Sequence, residues 1–594
     1  MSTPETEEEP RELLILYATE TGNAQDAADY IARQCRRIDF DCHVASIEQC
    51  SFTDLLAQEL VLFVISTTGS GVEPRSMTTF WNNLLRSDLP PNAFEDLYYS
   101  VFGLGDSAYE KFCWAAKKLS RRMESLGGVQ IQERGEGDEQ HPLGIDGALK
   151  PWTDEVIEAL LEMFPLPRDI EMIPVSDIPP ARVQLNPASQ ETFEKAQEPL
   201  KTDLTYHTAT VKANTRMTAS DWNQDVRRFE FSFEEDISYS PGDVAVIHPS
   251  MSTKDIDGFL ATMEWDEEAD EPFEIEQIMF DQTLSDHLPH TTTLRELFTR
   301  FLDFNAVPRR TFFQYLRYFT DDDLEKEKLD EFLSPEGADE LYEYCYRVRR
   351  TIWEVLTEFR HVAIPRDYIF DVFPPLRPRE FSIASSIKKH PREIHLCVAI
   401  VKYRTKLKIP RKGVCTTFLS TLNPGDTLQI GLKKGMIELP PKAKTPVICV
   451  GPGTGIAPMR AVIEERIESG ALSNTLYFGC RSTSKDHHFG EEWKKYAEEK
   501  GLVYRAAFSR DGKEGEKRVY VQDLIREDAE RIWKLVGEQE GWVFISGSSN
   551  KMPAAVKESI VFAVQKYGEY SEELAKQYVH DMVREGRLIE ECWS

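Results

Sequence analysis

The stretch LLILYATETGNAQDAA, residues 13–28, decides how this chain begins to fold. Its apolar run up to Tyr17 predicts a buried strand, and its alanine-rich end predicts a helix. Hydroxyl, amide and glycine residues lie between the two, where the first helical N–H groups lack partners, so the loop suits a phosphate dianion. A plain capped strand-to-helix turn is the alternative. The loop has no Lys, so it is not the nucleotide-triphosphate loop.

Two more loops of this kind follow apolar runs of strand length. LVLFVIS leads into STTGSG, residues 66–71, and YSVFGLG leads into GLGDSAYEKF, residues 103–112. The alternation of strands and helices over residues 13–165 predicts a parallel sheet with helices on both faces. Because the carboxyl ends of parallel strands share one edge, we expect the three loops to meet at a ligand site.

Composition limits the possible partners of the chain. Its 594 residues include 70 basic and 101 acidic ones, and a net charge of −31 argues against nucleic acid and anionic membranes. The acidic start MSTPETEEEPRE is unlike a signal peptide, and runs such as ELVLFVIS are too short for a membrane anchor. The ten cysteines form no Cys-x-x-Cys pair, so we expect no metal site and a reducing, intracellular compartment.

The sequence pattern changes three times along the chain. We expect a first α/β domain over residues 1–165, an extended proline-rich linker over 166–203, a β-barrel with a helical insertion over 204–440, and a second α/β domain over 441–594. The insertion covers about 265–370. Within it TLRELFTRFLDF predicts a helix with one apolar face, formed by Leu294, Leu297, Phe298, Phe301 and Leu302.

The three loops of the first domain together resemble the FMN site of the flavodoxin family. In that family the phosphate lies in the first loop and the flavin ring between the other two. Relatives often place an aromatic residue where this chain has Thr68, which implies a more open flavin face. Asp138 or Glu139, in GEGDEQ, stands where the family keeps an acidic group near the flavin. The resemblance assigns to FMN the residues Thr19, Glu20, Thr21, Gly22, Asn23, Ala24, Ser66, Thr67, Thr68, Gly69, Leu104, Gly105, Asp106, Ser107, Ala108, Tyr109, Glu110, Lys111, Phe112, Cys113, Asp138 and Glu139.

A second group of polar residues begins at RPREFSIASS, residues 377–386. Arg379 offers a fork that can hold a pyrophosphate, Phe381 a flat face, and Ser382 a hydroxyl for a flavin nitrogen. A simple strand edge is the alternative for this string alone. About thirty residues later GVCTTFL, residues 413–419, places a glycine and hydroxyl groups at a predicted helix start, again suited to phosphate.

These two stretches resemble the FAD barrel of the ferredoxin–NADP reductase family. Arg349, in YRVRRTIW, matches an arginine that reaches FAD in diflavin relatives, with a solvated helical arginine as the alternative. The residues that the resemblance assigns to FAD are Arg349, Arg379, Glu380, Phe381, Ser382, Gly413, Val414, Cys415, Thr416 and Trp593.

The last domain carries a third group of candidate binding residues. VICVGPGTGIAPMR, residues 447–460, is a strand followed by a glycine loop, although its G-x-G-x-G spacing differs from the usual dinucleotide fingerprint. FSRDGKEGEKRVYVQ, residues 508–522, adds a hydroxyl and several cations, which a ribose 2′-phosphate requires. A charged surface loop is the alternative. The residues that we expect to bind NADPH are Gly453, Thr454, Gly455, Ser509, Arg510, Lys517, Arg518, Val519, Tyr520, Val521 and Gln522.

The order of the modules resembles the diflavin reductases, a family that includes cytochrome P450 reductase. In those relatives a C-terminal aromatic residue lies on the FAD ring and must move before nicotinamide can stack there. EGRLIEECWS, residues 585–594, matches that ending, so the resemblance implies that Trp593 shields FAD and that Ser382, Glu591 and Trp593 are the catalytic residues. P450 reductases carry Cys where this chain has Ser546 and Asp where it has Glu591, which implies slower reduction.

The resemblance implies a cytoplasmic enzyme that passes electrons from NADPH to FAD, then to FMN and to a one-electron acceptor. TGNAQD, STTG and GEGDEQH look most like the diflavin reductase of cytosolic iron–sulfur assembly, which implies an anamorsin-type iron–sulfur protein as acceptor. A sulfite reductase flavoprotein and a soluble P450 reductase-like enzyme are the alternatives within the family. A flavodoxin-like scaffold without redox function is the alternative of another class.

Overall fold

A computed structural model of the chain describes residues 11–69, 71–109, 111–405, 408–513, 515–549 and 551–593. Glu110, one of the predicted FMN residues, lies outside the described residues. The chain divides into two compact units that alternate along the sequence. The first consists of Met1–Ala196, Met251–Arg377 and Thr405–Ile409, and the second of Gln197–Ser250, Pro378–Arg404 and Pro410–Ser594.

The first unit opens with a doubly wound α/β module. Its parallel sheet has the strand order β2-β1-β3-β4-β5, with β6 also paired to β4, which is a flavodoxin-like order. Its elements are β1 (Glu12–Ala18), α1 (Asn23–Arg36), β2 (Asp41–Ser46), α2 (Phe52–Leu56), β3 (Leu60–Ser66), α3 (Thr78–Leu84), β4 (Tyr98–Gly105), α4 (Trp114–Ser125), β5 (Val129–Gln130), β6 (Gly135–Asp138) and α5 (Asp146–Met163).

The apolar runs form central strands because both faces of this sheet are covered by helices. The residues Leu60–Ile65 of β3 are all buried, as expected for a parallel strand between two helical layers. Even residues such as Leu62 pack with Ile31 of α1 on one face, and odd ones such as Phe63 pack with Leu119 of α4 on the other. The carboxyl ends of β1, β3 and β4 therefore lie side by side.

The segment predicted as an extended linker contains regular structure. It includes β7 (Val183–Pro187), α6 (Gln190–Lys195) and α7 (Pro199–Thr202). Within the first unit, β7 pairs with a strand some ninety residues further along the chain, and Arg182 just before it bridges Asp29 and Asp371 at 3.2 and 3.0 Å. This part of the predicted linker is therefore fixed to the α/β module and to the segment Met251–Arg377 of the same unit.

The second unit begins with β8 (Tyr206–Arg216), β9 (Val226–Phe233) and β10 (Val244–Ile247). The chain then returns to the first unit for the predicted helical insertion, called the helical block below. This block holds α8 (Thr253–Thr262), β11 (Phe273–Gln277), β12 (Thr291–Thr292), α9 (Leu294–Arg300), α10 (Arg310–Tyr318), α11 (Asp323–Leu333), α12 (Ala338–Leu341), α13 (Ile352–Glu358) and α14 (Ile369–Val372).

The predicted apolar helix face is buried in the helical block. Leu294, Leu297 and Phe298 lie on α9, and Phe301 and Leu302 are buried too. The helix ends at Arg300, however, so the last two residues lie just beyond it. No helix in the described part of the chain is both long and apolar enough to cross a membrane.

The barrel of the second unit is built from strands on either side of the helical block. Its later elements are β13 (Arg379–Ser382), β14 (Glu393–Ala399), β15 (Lys402–Arg404), β16 (Pro410–Lys412), α15 (Val414–Thr421) and β17 (Thr427–Lys433). Six strands form an antiparallel sheet in the order β13-β10-β17-β8-β9-β14, and a bridge between Ile383 and Leu396 brings its two ends together. Phenylalanines 229 and 231 and Ile394 fill the interior.

The chain ends in a five-stranded parallel sheet in the order β20-β19-β18-β21-β22. Its last strand, β22, pairs with β21, and Trp593 of β22 lies opposite Ser548 of β21. The backbone of this tryptophan is therefore held by strand pairing. The elements are β18 (Val447–Val450), α16 (Ile456–Glu468), β19 (Asn474–Cys480), α17 (Gly490–Lys500), β20 (Val503–Phe508), α18 (Val521–Glu527), α19 (Ala529–Trp533), β21 (Trp542–Ser548), α20 (Lys551–Tyr567), α21 (Glu572–Arg584) and β22 (Leu588–Trp593).

Candidate flavin and nucleotide sites

The first loop of the flavodoxin-like module ends in a left-handed turn. Gly22 has φ +94° and precedes α1, and its N–H donates to Thr19 Oγ1 at 2.8 Å. Among the described residues no side chain caps the start of α1, so its first backbone N–H groups are left for another acceptor. This arrangement fits the predicted phosphate site.

The three predicted FMN loops meet at one edge of the sheet. Ser66 Oγ donates to the carbonyl of Ala18 at 3.1 Å, and Thr67 N–H donates to the carbonyl of Leu104 at 2.9 Å. Glu20 of the first loop accepts the N–H of Arg75, which follows the second loop, at 2.7 Å and pairs with its guanidinium. The sequence prediction did not include Arg75.

Two of the predicted residues shape the loops through hydrogen bonds. Asp138 Oδ1 accepts the N–H groups of Ser107 and Gln140 at 2.9 and 3.0 Å, which fixes the loop that carries Tyr109. Burial acts to raise the pKa of Asp138, but these hydrogen bonds outweigh it and its pKa lies below the usual value. Thr68 closes the second loop on itself, because its N–H donates to the carbonyl of Val72 at 2.9 Å.

The side chains of Cys113 and Glu139, two of the predicted FMN residues, lie in different surroundings. The Cys113 side chain is fully buried, and burial raises the pKa of its thiol to about 12, so only its backbone is available to a ligand. Burial also raises the pKa of Glu139, whose carboxyl faces the cations of Arg309 and Arg349. Arg349 thus belongs to the first unit, with a left-handed backbone at φ +53°, and its assignment to FAD stays a prediction.

The predicted FAD residues of the second unit occupy a barrel strand and a helix start. Arg379 and Phe381 lie on β13, and Glu380 of the same strand pairs with Lys433 at 3.0 Å. Gly413 directly precedes α15, where the described residues provide no side-chain cap. Thr417 Oγ1 is buried there without a hydrogen-bond partner among the described residues. This hydroxyl, which the prediction omitted, suits a polar ligand at the start of α15.

The side chains of Val414, Cys415 and Thr416 do not all face that ligand position. Cys415 packs in the barrel core, and burial raises the pKa of its thiol to about 12. Thr416 Oγ1 accepts the N–H of Val401 at 3.1 Å and so joins the start of α15 to the barrel. These two residues can offer only backbone groups to a pyrophosphate.

The predicted catalytic residues converge within the second unit. Ser382 Oγ donates to Glu591 Oε1 at 2.5 Å, which links the barrel to the last strand of the nucleotide-binding sheet. Ser546 lies beside Glu591 in the pairing of β21 with β22, and its buried Oγ has no hydrogen-bond partner among the described residues. Trp593, two residues further along β22, is 41% exposed.

The predicted NADPH residues lie at the carboxyl edge of the last sheet. A Cβ at Gly455 would clash with the carbonyl oxygen of Ser546, so only glycine fits there, whereas Gly453 faces open space. Ser509 and Arg510 follow β20, and the N–H of Arg510 donates to the carbonyl of Arg481 at 2.8 Å. Arg481, directly after β19, adds a cation that the prediction did not include.

A surface loop that leads into α18 carries Lys517, Arg518, Val519 and Tyr520, and α18 itself begins with Val521 and Gln522. Lys517 is almost fully exposed and pairs with Asp523 at 3.1 Å, and Arg518 and Tyr520 are exposed as well. The side chain of Val521 is buried in the core, so this residue can contribute only backbone groups to a ligand. The loop therefore presents cations to solvent at the edge where a 2′-phosphate is predicted.

Family models match each part of the chain. The models described as flavodoxin, FAD binding domain and oxidoreductase NAD-binding domain match residues 15–152, 202–418 and 449–558. A protein of Cryptococcus neoformans named NADPH-dependent diflavin oxidoreductase 1 is 40% identical over 98% of this chain and 100% of its own length. Proteins of that name from Xenopus laevis and Schizosaccharomyces pombe are 37% and 36% identical, over 98% of this chain and 99% of theirs.

The chain belongs to the NADPH-dependent diflavin oxidoreductase family. The diflavin oxidoreductase carries FMN and FAD and uses NADPH, as the three matched domains and the names of its relatives show. When bound, the two flavins would supply the redox chemistry, taking electrons from NADPH and passing them to an acceptor.

The residues of this diflavin oxidoreductase fit FMN, FAD and NADPH at the three predicted positions. The uncapped start of α1 offers donors to the FMN phosphate, and the orphaned Thr417 hydroxyl lies at the predicted FAD pyrophosphate position. Ser382 and Glu591 can orient the nicotinamide, since their hydrogen bond holds both side chains at the junction of barrel and sheet.

Proposed function

We propose that this diflavin oxidoreductase works in the cytoplasm and passes electrons from NADPH to an iron–sulfur protein of the anamorsin type, in cytosolic iron–sulfur cluster assembly. The observation that carries the proposal is the presence of two flavin modules in one chain. NADPH gives up two electrons together, whereas an iron–sulfur cluster accepts one at a time. A chain with two flavins can join the two kinds of transfer.

The proposed acceptor also has support from the sequence. The loops TGNAQD, STTG and GEGDEQH look most like those of the diflavin reductase of cytosolic iron–sulfur assembly. In the described residues these loops lie together at one edge of the flavodoxin-like sheet. An acceptor that approaches this edge would meet the FMN site directly.

A comparison of acceptors tests this proposal. Purified chain with full flavin content is mixed with NADPH in three separate reactions, each with one oxidised acceptor. The acceptors are an anamorsin-type cluster protein, a sulfite reductase haemoprotein and a cytochrome P450. We expect the cluster protein to be reduced fastest, and a FMN-depleted sample of the same chain to reduce none of the three. Faster reduction of the haemoprotein or the P450 would contradict the proposed acceptor.

A further inference from the structure

The predicted phosphate loop has no positive charge of its own. Residues 18–26 read ATETGNAQD and contain two carboxylates, Glu20 and Asp26, but neither Lys nor Arg. Asp26 lies in the first turn of α1, where its charge competes with a phosphate for the helix N–H groups and repels it. An FMN phosphate carries about two negative charges at neutral pH, so a cation placed beside this loop would strengthen its binding.

Arg377, which ends the Met251–Arg377 segment just after the last helix of the helical block, brings such a cation. Its Nη1 donates to Gln25 Oε1 at 2.9 Å, and its Nη2 donates to Asp26 Oδ1 at 2.8 Å and to the carbonyl of Gly22 at 3.4 Å. The guanidinium thus bonds to three residues of the loop and helix start, although Arg377 is 355 residues away from Gly22 in sequence.

The guanidinium also lies directly against the turn. A Cβ at Gly22 would clash with Cζ of Arg377, so the planar group packs on the backbone of the residue that precedes α1. Arg309 of the helical block also faces this carboxylate. Its Nη1 lies 3.6 Å from Asp26 Oδ2, and its Nη2 lies 3.6 Å from Asp146 Oδ1. Two arginines therefore offset the carboxylate that would otherwise repel an anion at this helix start.

We propose that Arg377 is part of the FMN phosphate site, although it lies outside the flavodoxin-like module in sequence. It neutralises Asp26, fixes the Gly22 turn and attracts the phosphate dianion. FMN retention then depends on the helical block as well as on the module that carries the three loops. The inference rests on the predicted position of the phosphate at the start of α1.

Flavin binding with and without the phosphate tests the proposal. FMN-depleted full-length chain, wild type and Arg377→Ala, is titrated with FMN and with riboflavin, which lacks the phosphate, and the dissociation constants are measured by flavin fluorescence. We expect Arg377→Ala to weaken FMN binding about tenfold and to leave riboflavin binding unchanged. Unchanged FMN binding, or equal losses for both flavins, would overturn the proposal.

Arg36→Ala is the matched control. Arg36 lies at the far end of α1, about 20 Å from Asn23 at its start. It contacts Asp281 and Met279 of the helical block. If FMN binding depended only on general docking of the block, this variant would weaken it as much as Arg377→Ala does. We expect FMN binding to be unchanged in Arg36→Ala, and an equal loss in the two variants would overturn the local role of Arg377.

Discussion

At the scale of single residues, the hydrogen bond from Ser382 to Glu591 is the contact to test first. Ser382→Ala removes a bond to an ionisable group, worth about 1.5–3 kcal/mol. If the bond orients the nicotinamide for transfer, we expect NADPH-dependent FAD reduction to slow by about 10–100-fold, with little change in the Michaelis constant for NADPH. Stopped-flow loss of oxidised-flavin absorbance measures the rate.

The control for this variant is its flavin content, which should equal that of the wild type because β13 keeps its pairing with β10. A normal rate of FAD reduction in Ser382→Ala would show that the hydroxyl only joins the barrel to β22.

Trp593 gives a second prediction at this scale. If the indole covers the FAD ring, nicotinamide must displace it and lose an aromatic contact worth about 0.5–1.5 kcal/mol. Trp593→Ala should then improve the apparent affinity for NADH more than that for NADPH, because NADH lacks the 2′-phosphate contacts. Turnover with NADPH should fall, since oxidised product would leave more slowly.

Steady-state kinetics with both nucleotides, and a charge-transfer band on mixing with NADP, check this expectation. Leu574→Ala is a matched control, because Leu574 is also an exposed apolar residue of the last module, on α21. If Trp593→Ala behaves like Leu574→Ala, the tryptophan does not shield FAD.

At the scale of elements, uniform burial made some strands predictable and mixed burial hid others. The runs LLILY, LVLFVIS and YSVFGLG are apolar throughout because helices cover both faces of the sheet. β2 reads DCHVAS and has exposed residues among buried ones, so its apolar signal is weak. β7 lies in a proline-rich segment and depends on pairing with β11, a contact that no local pattern shows.

The candidate binding sites were also only partly predictable from the sequence. The glycine and hydroxyl loops were predictable because they directly follow strands at one sheet edge. Arg75 and Arg377 were not, since each reaches the first loop through tertiary packing, and the Arg377 contacts join residues more than 350 positions apart. Spacing within a motif cannot show a contact of that kind.

The start of α1 allows a prediction for a whole element. Gly22→Ala places a Cβ against the Arg377 guanidinium at a residue with φ +94°. A left-handed backbone costs an alanine about 1–2 kcal/mol, and the clash adds to this by displacing Arg377. We expect a loss of FMN affinity of at least tenfold, measured by fluorescence titration of the full chain.

Gly144→Ala separates the two causes. Gly144 lies in the same module with φ +57°, but among the described residues no atom comes within 4 Å of the point that its Cβ would occupy. It should carry the backbone strain without the clash and retain FMN. Equal loss of FMN from both variants would show that strain alone, and not displacement of Arg377, is responsible.

At the scale of the whole molecule, the two flavins should differ in how firmly they are held. Thr68 offers no ring face to FMN, and a missing aromatic stack of about 1–3 kcal/mol corresponds to one to two orders of magnitude in affinity. We expect extensive dialysis to remove FMN before FAD, as measured by chromatography of the released flavins. Preferential loss of FAD would contradict this prediction.

The stability of the second unit should fall in mild acid. Burial, together with the nearby Arg460 cation, lowers the pKa of His395 to about 2, whereas an unfolded histidine has a pKa of about 6.5. Below pH 6.5 the unfolded state therefore binds a proton that the folded state excludes. The unfolding free energy should decrease by up to about 1.4 kcal/mol per pH unit.

His395→Asn tests this effect, because the Asn amide oxygen can replace the Nδ1 that faces Arg460 Nη1 at 3.3 Å. Urea unfolding of both proteins, followed by FAD fluorescence at about pH 7.5 and 5.5, gives the slope with pH. We expect a smaller slope in the variant, and equal slopes would contradict the role of His395.

The alternation of the two units along the chain has a consequence for inheritance. The barrel needs strands from both sides of the helical block, and the first unit needs segments on both sides of β8–β10. A single recombination event within residues 197–377 would therefore join half of one unit to a foreign half. A whole unit can be exchanged between related genes only with crossovers at residues 196/197, 250/251 and 377/378 at least. We therefore expect natural and engineered chimaeras with these three junctions to remain folded more often than chimaeras with a single junction inside a unit.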